Sequence, residues 1–286
     1  MRRPIGIAAF VLAFAVLVAL VLALRQGIDI QFPWSLIRSG TFVSLTGHDH
    51  LHHGHGSLDA KDIREVVVQA PSVGMVQLAT ASTPSVSWQW SASGPKQGVL
   101  AESETGGVLT LTYTPAQPAE LNLGSLMDSL QVTLPPGLAA NVSVATGTAK
   151  VSGTYRGLTA SVTTGALSVL DFHGRLSASV DTGPLNITAL QVTGPLTAQV
   201  GTGPLTFSGD PGLRSSFSVG TGPLTLHLSP RGSLAVRAGA HLGPLSSGFP
   251  GLQGGTNGVF RGRIGQGPSG SLTVDDGTGP VSIYPQ

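Results

Sequence analysis

The sequence predicts an all-β chain, a parallel β-solenoid with coils of about 18–20 residues, preceded by an N-terminal transmembrane helix. Three observations predict it: a Thr-Gly turn that keeps returning, strict apolar/polar alternation on both sides of that turn, and a long uncharged run at residues 5–24.

The turn occurs in SVATGTAKV, SVTTGALSV, SVDTGPLNI, QVGTGPLTF and SVGTGPLTL. Its threonines, Thr146, Thr164, Thr182, Thr202 and Thr221, are 18, 18, 20 and 19 residues apart, the signature of stacked repeats. Two residues before each stands Val144, Val162, Val180, Val200 or Val219, and two earlier again Val142, Ala160, Ala178, Ala198 or Phe217. Ser, Thr and Gln fill the places between, as in a strand with one buried face. Alternation resumes after the turn with Leu167, Leu185, Leu205 and Leu224, then Val169, Ile187, Phe207 and Leu226.

A coil this short cannot bury its own apolar side chains. Stacking at roughly 4.8 Å aligns Val on Val and Leu on Leu into continuous columns. The turn glycines supply a positive φ, and Pro184, Pro204 and Pro223, which cannot donate to a ladder, belong at the corner. VTGPL at 192–196, HLGPL at 241–245 and DGTGPVSI at 276–283 are irregular copies that extend or close the stack, the last in the place of a cap.

Residues 5–24 carry neither charge nor hydrogen-bonding side chain, and 20 residues at about 1.5 Å each match the roughly 30 Å hydrocarbon core of a bilayer. A cleaved signal peptide is the competing reading, with Arg2 and Arg3 as its basic region and Val21-Leu22-Ala23 as a loose cleavage site; the length of the run favours an uncleaved anchor. Arg2 and Arg3 then keep residues 1–4 in the cytoplasm, while Arg25 and Arg38 on the far side are diluted by Asp29. The expected location is the cell membrane, single-pass, with the C-terminal domain extracytoplasmic. A net charge of +1 and the lack of a basic patch with interleaved aromatics argue against a nucleic-acid partner. The absence of cysteine is compatible with an oxidising compartment.

Residues 25–61 form a juxtamembrane and His-rich linker in which Trp34 lies near headgroup level. His48, His50, His52, His53 and His55 are the candidate metal ligands, and imidazole suits zinc, copper or nickel. Gly47, Gly54 and Gly56 argue instead for a flexible, solvated or pH-responsive tether. Residues 62–136 read as β throughout, a cap of the solenoid that precedes the repeats at 137–286. Trp88 and Trp90 share one face there, with burial in the cap set against an exposed sugar-stacking pair. A Gly-rich insertion at 246–271 interrupts the last coils.

VTLPPGLAANVSVATGTAKVSG, the units TASVTTGALSV and SASVDTGPLNI, and the closing SLTVDDGTGPVSIYP together resemble the bacterial β-strand-repeat domain of unknown function named as a putative adhesin. The resemblance spans roughly 62–286 and is carried most fully by 130–286. It implies a single-handed parallel β-solenoid in the cell envelope, often beside a membrane segment, and no established activity or site residues. The chain departs from the pattern in the proline after Thr-Gly, where an acidic residue is common, and in the insertion at 246–271.

Enzymatic β-helices need acid-base groups clustered on neighbouring coils, and calcium-binding β-rolls need an Asp in every turn. The residue before each Thr-Gly is Ala145, Thr163, Asp181, Gly201 or Gly220, a carboxylate in one coil of five. Asp171 and His173 in DFHG, His227, His241 and the Asp275-Asp276 pair read as loop, surface and turn residues, and the Asn141 and Asn186 acceptor motifs are common by chance. The expected role is structural or adhesive, with no catalytic activity and no cofactor unless the His tract holds Zn, Cu or Ni. Expected partners are the membrane and an envelope protein or surface polysaccharide. The alternative is an envelope sensor or assembly factor with the His tract as metal or proton detector, and a third reading is a carbohydrate-active enzyme.

Overall fold

Strand pairing in register follows directly from the repeated columns. The computed structural model describes residues 51–93, 99–114, 129–230, 232–254 and 259–286, and these are all-β apart from one 3-10 turn at Ala60–Asp62. The expected anchor at 5–24 lies outside the described residues. Among the described residues, no helix is long and apolar enough to cross a membrane.

Six strands come first: β1 (Leu51–Asp59), β2 (Glu65–Thr80), β3 (Ser85–Ser93), β4 (Val99–Thr105), β5 (Val108–Thr114) and β6 (Ser129–Leu134). Three long strands follow, β7 (Ala139–Thr154), β8 (Gly157–Thr182) and β9 (Leu185–Thr202). The rest comprises β10 (Leu205–Gly209), β11 (Arg214–Thr221), β12 (Leu224–Leu228), β13 (Ser233–Leu242), β14 (Leu245–Ser247), β15 (Leu252–Gly254), β16 (Val259–Ile264), β17 (Ser269–Thr278) and β18 (Val281–Pro285). In the described pairings β1, β4, β14 and β15 each have a partner on one side only, so the sheet network is open.

Across the middle of the molecule like pairs with like, in parallel. Val144 is opposite Val162, Val180 opposite Val200 and Val200 opposite Val219; Leu167, Leu185, Leu205 and Leu224 form the second column. All of these side chains are buried. The corner between the columns has to be glycine for two reasons. Gly165 and Gly183 have φ of 138° and 135°, and a Cβ on Gly183 would lie 1.8 Å from the carbonyl oxygen of Gly165 in the coil beneath. Proline interrupts nothing at the next position, because only its carbonyl is needed: Leu167, Leu185 and Leu205 donate to Pro184, Pro204 and Pro223 oxygens at 3.0 Å. VTGPL at 192–196 imitates this corner without making one. Gly194 has no positive φ, and Pro195 lies within β9.

The two ends depart from chain order. The closing segment was expected to cap the stack, yet β17 pairs in parallel with both β11 and β13, and β18 with both β12 and β14. Coil 269–285 is therefore second from the end, and the outer edge of β13 is covered by antiparallel β16, which in turn pairs with β15. The Gly-rich insertion supplies this cover. At the opposite end β2 lies between β7 and the β5/β6 pair, although it precedes both in sequence. There β4 covers β5, β3 covers β6 and β1 covers β3, all antiparallel. An uncovered parallel edge presents unpaired backbone groups to other chains; antiparallel strands cover β5, β6 and β13, while β14 has no partner on its outer side among the described residues.

Candidate functional surface

The repeated corners place one threonine per coil on the outside. Thr146, Thr164, Thr182, Thr202, Thr221 and Thr278 are all exposed. They follow the register of the corners, with Thr146 opposite Thr164, Thr202 opposite Thr182 and Thr221, and Thr221 opposite Thr278. The outward column past the corner is Lys150, Ser168, Asn186, Thr206, Thr225, Ser282 and Ser246, where Lys150 is the one ionised side chain. Two residues further on, Thr188, Ser208, His227 and Tyr284 run side by side, with His227 stacked on Tyr284 at 6.1 Å between centroids. Such a face offers hydrogen bonds at strand spacing, roughly every 4.8 Å, with almost no charge. It brings no acid and base together.

Of the five candidate metal ligands, His48 and His50 lie outside the described residues. His52 pairs with Ala92 along the backbone of β1. His53 and His55 are exposed on the same strand, opposite Ser91 and Gln89. Among the described residues no three His, Asp or Glu side chains converge on a point. The glycines of this tract have a packing role within β1. A Cβ on Gly54 would lie 2.5 Å from Nε1 of Trp90, and one on Gly56 would lie 2.5 Å from Cε2 of Trp88. Both indoles are buried, and Trp88 donates from Nε1 to Glu102 Oε1 at 2.8 Å. Burial in the cap is thus the outcome for the tryptophan pair. His55 and Ser57 border an open depression of about 390 Å³ with Gln89 and Gln131.

Asp171 has a φ of 48°, which turns the chain so that Phe172 enters the core and stacks on Tyr155 at 6.1 Å. DFHG is not a loop: it lies within β8 at a break in register, with Asp171 exposed and His173 half-buried. His241 sits at the last coil, with Nδ1 3.8 Å from Asp275 Oδ1 and 3.1 Å from the Asp276 carbonyl oxygen.

Asp276 overturns the turn-former reading of the Asp275-Asp276 pair. Asp275 is exposed, but Asp276 is 0% exposed, and no donor meets either of its carboxyl oxygens in full hydrogen-bond geometry, although the Thr278 N–H lies close enough to act on it. Burial raises its pKa above the usual carboxylate value; the backbone N–H of Thr278 pulls the other way, Asp275 adds to the rise and His241 lowers it. The signal was in the sequence, since Asp276 stands two residues before Thr278, the inward position filled by valine before the five regular Thr-Gly turns.

No protein-family model matches the chain, and no curated protein matches it. Among solved structures it is similar to a putative cell adhesion protein from Clostridium sporogenes, with 11% identity over 83% of this chain and 100% of that one and a TM-score of 0.41. It is also similar to putative adhesins from Bacteroides fragilis (9% identity, 82% and 97% covered, TM-score 0.29) and Parabacteroides distasonis (12%, 81% and 97%, 0.25). Likeness at this level decides neither fold nor role.

Proposed function

We propose that the chain is a single-handed parallel β-solenoid of the putative-adhesin kind, held at the outer side of the cell membrane by residues 5–24 and acting as a structural or adhesive module without catalysis. One observation carries this reading: coil after coil presents the same neutral hydroxyl groups in register on an exposed face. A regular, uncharged ladder suits a repetitive partner, such as a surface polysaccharide or an envelope protein, bound through many weak contacts. Cells displaying the full chain should adhere to immobilised surface polysaccharide or envelope extract, and Thr182→Lys, Thr202→Lys and Thr221→Lys combined should reduce adhesion at least about tenfold through lost multivalency. Undiminished adhesion by this folded variant would rule out the threonine face. A reporter fused after Gln286 should be active only outside the cytoplasm and stay with the membrane fraction; a shortened soluble product would make the apolar run a cleaved signal.

A second reading, an envelope sensor or assembly factor with Zn, Cu or Ni at the His tract, gains from one observation. His53 and His55 extend from an ordered strand, so less conformational entropy opposes binding there than on a free tether. Calorimetry with each metal on the full chain tests it. Saturable binding that weakens as pH falls and is lost when His48, His50, His52, His53 and His55 become Ala would favour the sensor; weak binding indifferent to the metal would remove it.

A further inference from the structure

Coil 269–285 differs from the coils it joins in what it carries inward. Along the column two residues before the corner threonine, Val180, Val200 and Val219 are followed by Asp276 and then by Ala240. The side chains stacked on this carboxyl, Val219 and Ala240, have no hydrogen-bonding group. A Cβ on Gly279 would lie 3.0 Å from Asp276 Oδ2, so the carboxyl is tucked beneath the corner. From β17 itself the nearby charged group is Asp275, and from β13 it is His241; Val219 and its neighbours on β11, Ser218 and Gly220, do not titrate. The Thr278 N–H and His241 favour the ionised form, but burial is the larger effect, so an ionised carboxylate is disfavoured in such a column whereas a neutral carboxylic acid is tolerated.

We propose that coil 269–285 is an acid-held wedge, seated between β11/β12 and β13/β14 with Asp276 protonated, and loosened together with the outer coil 233–247 when Asp276 ionises. Because burial raises the carboxyl's pKa above its ordinary value of 3.8, the seated coil binds more protons than the opened coil in the window between the two values. Seating is therefore fully favoured below pH 3.8, weakens as pH rises through the window, and stays at the weakened level above it.

Hydrogen exchange on the full chain between pH 4 and pH 8, corrected for intrinsic exchange rates, reads this strand by strand. Protection in β13, β17 and β18 should fall by up to about tenfold for each pH unit inside the window, while β7–β9 stay unchanged. In Asp276→Val, which completes the valine column, and in Asp276→Asn, which keeps the size without the charge, protection of the same strands should no longer follow pH. In His241→Ala the fall should persist. A flat profile in the native chain, an equal fall in every coil, or a fall that survives Asp276→Val but disappears in His241→Ala would overturn the proposal.

Discussion

In the middle of the molecule, from β7 to β12, each coil stacks on the one before it in sequence; at the two ends chain order and spatial order part company. The middle is a nearest-neighbour structure, and its stability comes from columns of like residues repeated by short connections. An end coil has a neighbour on one side only, so the same rules leave it with an open edge. Both ends place the outlying segment one step inward, β2 beneath β5/β6 and β17/β18 beneath β13/β14, and lay antiparallel strands over β5, β6 and β13. Local contacts define the middle, whereas the ends depend on pairings between segments far apart in the chain, such as Val66 with Ala140 and Phe217 with Val274. Closing these long loops is the slower and entropically costlier step.

The sharpest way to break the middle is to charge its column. Val162→Asp and Val180→Asp should each cost about 3–5 kcal/mol in denaturant unfolding, since each buries a charge among apolar neighbours. Ser161→Asp and Ser179→Asp, one residue away and half-exposed, should change stability by about 0.5 kcal/mol or less. Equal losses from the two pairs would contradict the register. Native Asp276 is the same substitution already present near the end, between Val219 and Ala240.

Gly165→Ala comes next, at about 2–4 kcal/mol, because the new Cβ meets the Gly147 carbonyl oxygen at 1.8 Å on a backbone with φ of 138°. Its effect should reach the adjacent coils on both sides. By contrast, Gly56→Ala should cost about 1–3 kcal/mol and act locally, lifting β1 off Trp88. Tryptophan emission should then shift to the red while β7–β9 keep their hydrogen-exchange protection, and unchanged emission would show that the indole has room to spare.

What was legible in the sequence divides along the same line. Val144, Val162 and Leu167 announce their inward face by period alone, and the Thr-Gly corners give the coil length. Period says which way a residue points and is silent on which coil lies next to it, so the placement of 269–285 could not be read from DGTGPVSI. Asp276 could have been, because the valine-column rule applies to it unchanged; turn propensity of the Asp-Asp-Gly run obscured it. In the His tract, glycine lowers strand propensity, and only the indoles of Trp88 and Trp90 more than thirty residues away explain why Gly54 and Gly56 stand in a strand. VTGPL at 192–196 carries the corner's letters while its backbone stays extended, a difference of φ that the letters do not encode.

Coil order at the end is the central claim, and the chain's lack of cysteine makes it directly testable by paired cysteines. Ser216 lies opposite Thr273 in the adjacent strand, both are exposed, and Thr273 in turn lies opposite Arg237 one strand further out. Neighbouring strands about 4.8 Å apart are within disulfide reach, while a separation of two strands, about 9.6 Å, is beyond it. Under mild oxidation Ser216→Cys with Thr273→Cys should cross-link readily and Ser216→Cys with Arg237→Cys should not. Cross-linking of 216 to 237 and none of 216 to 273 would mean that the coils stack in simple chain order.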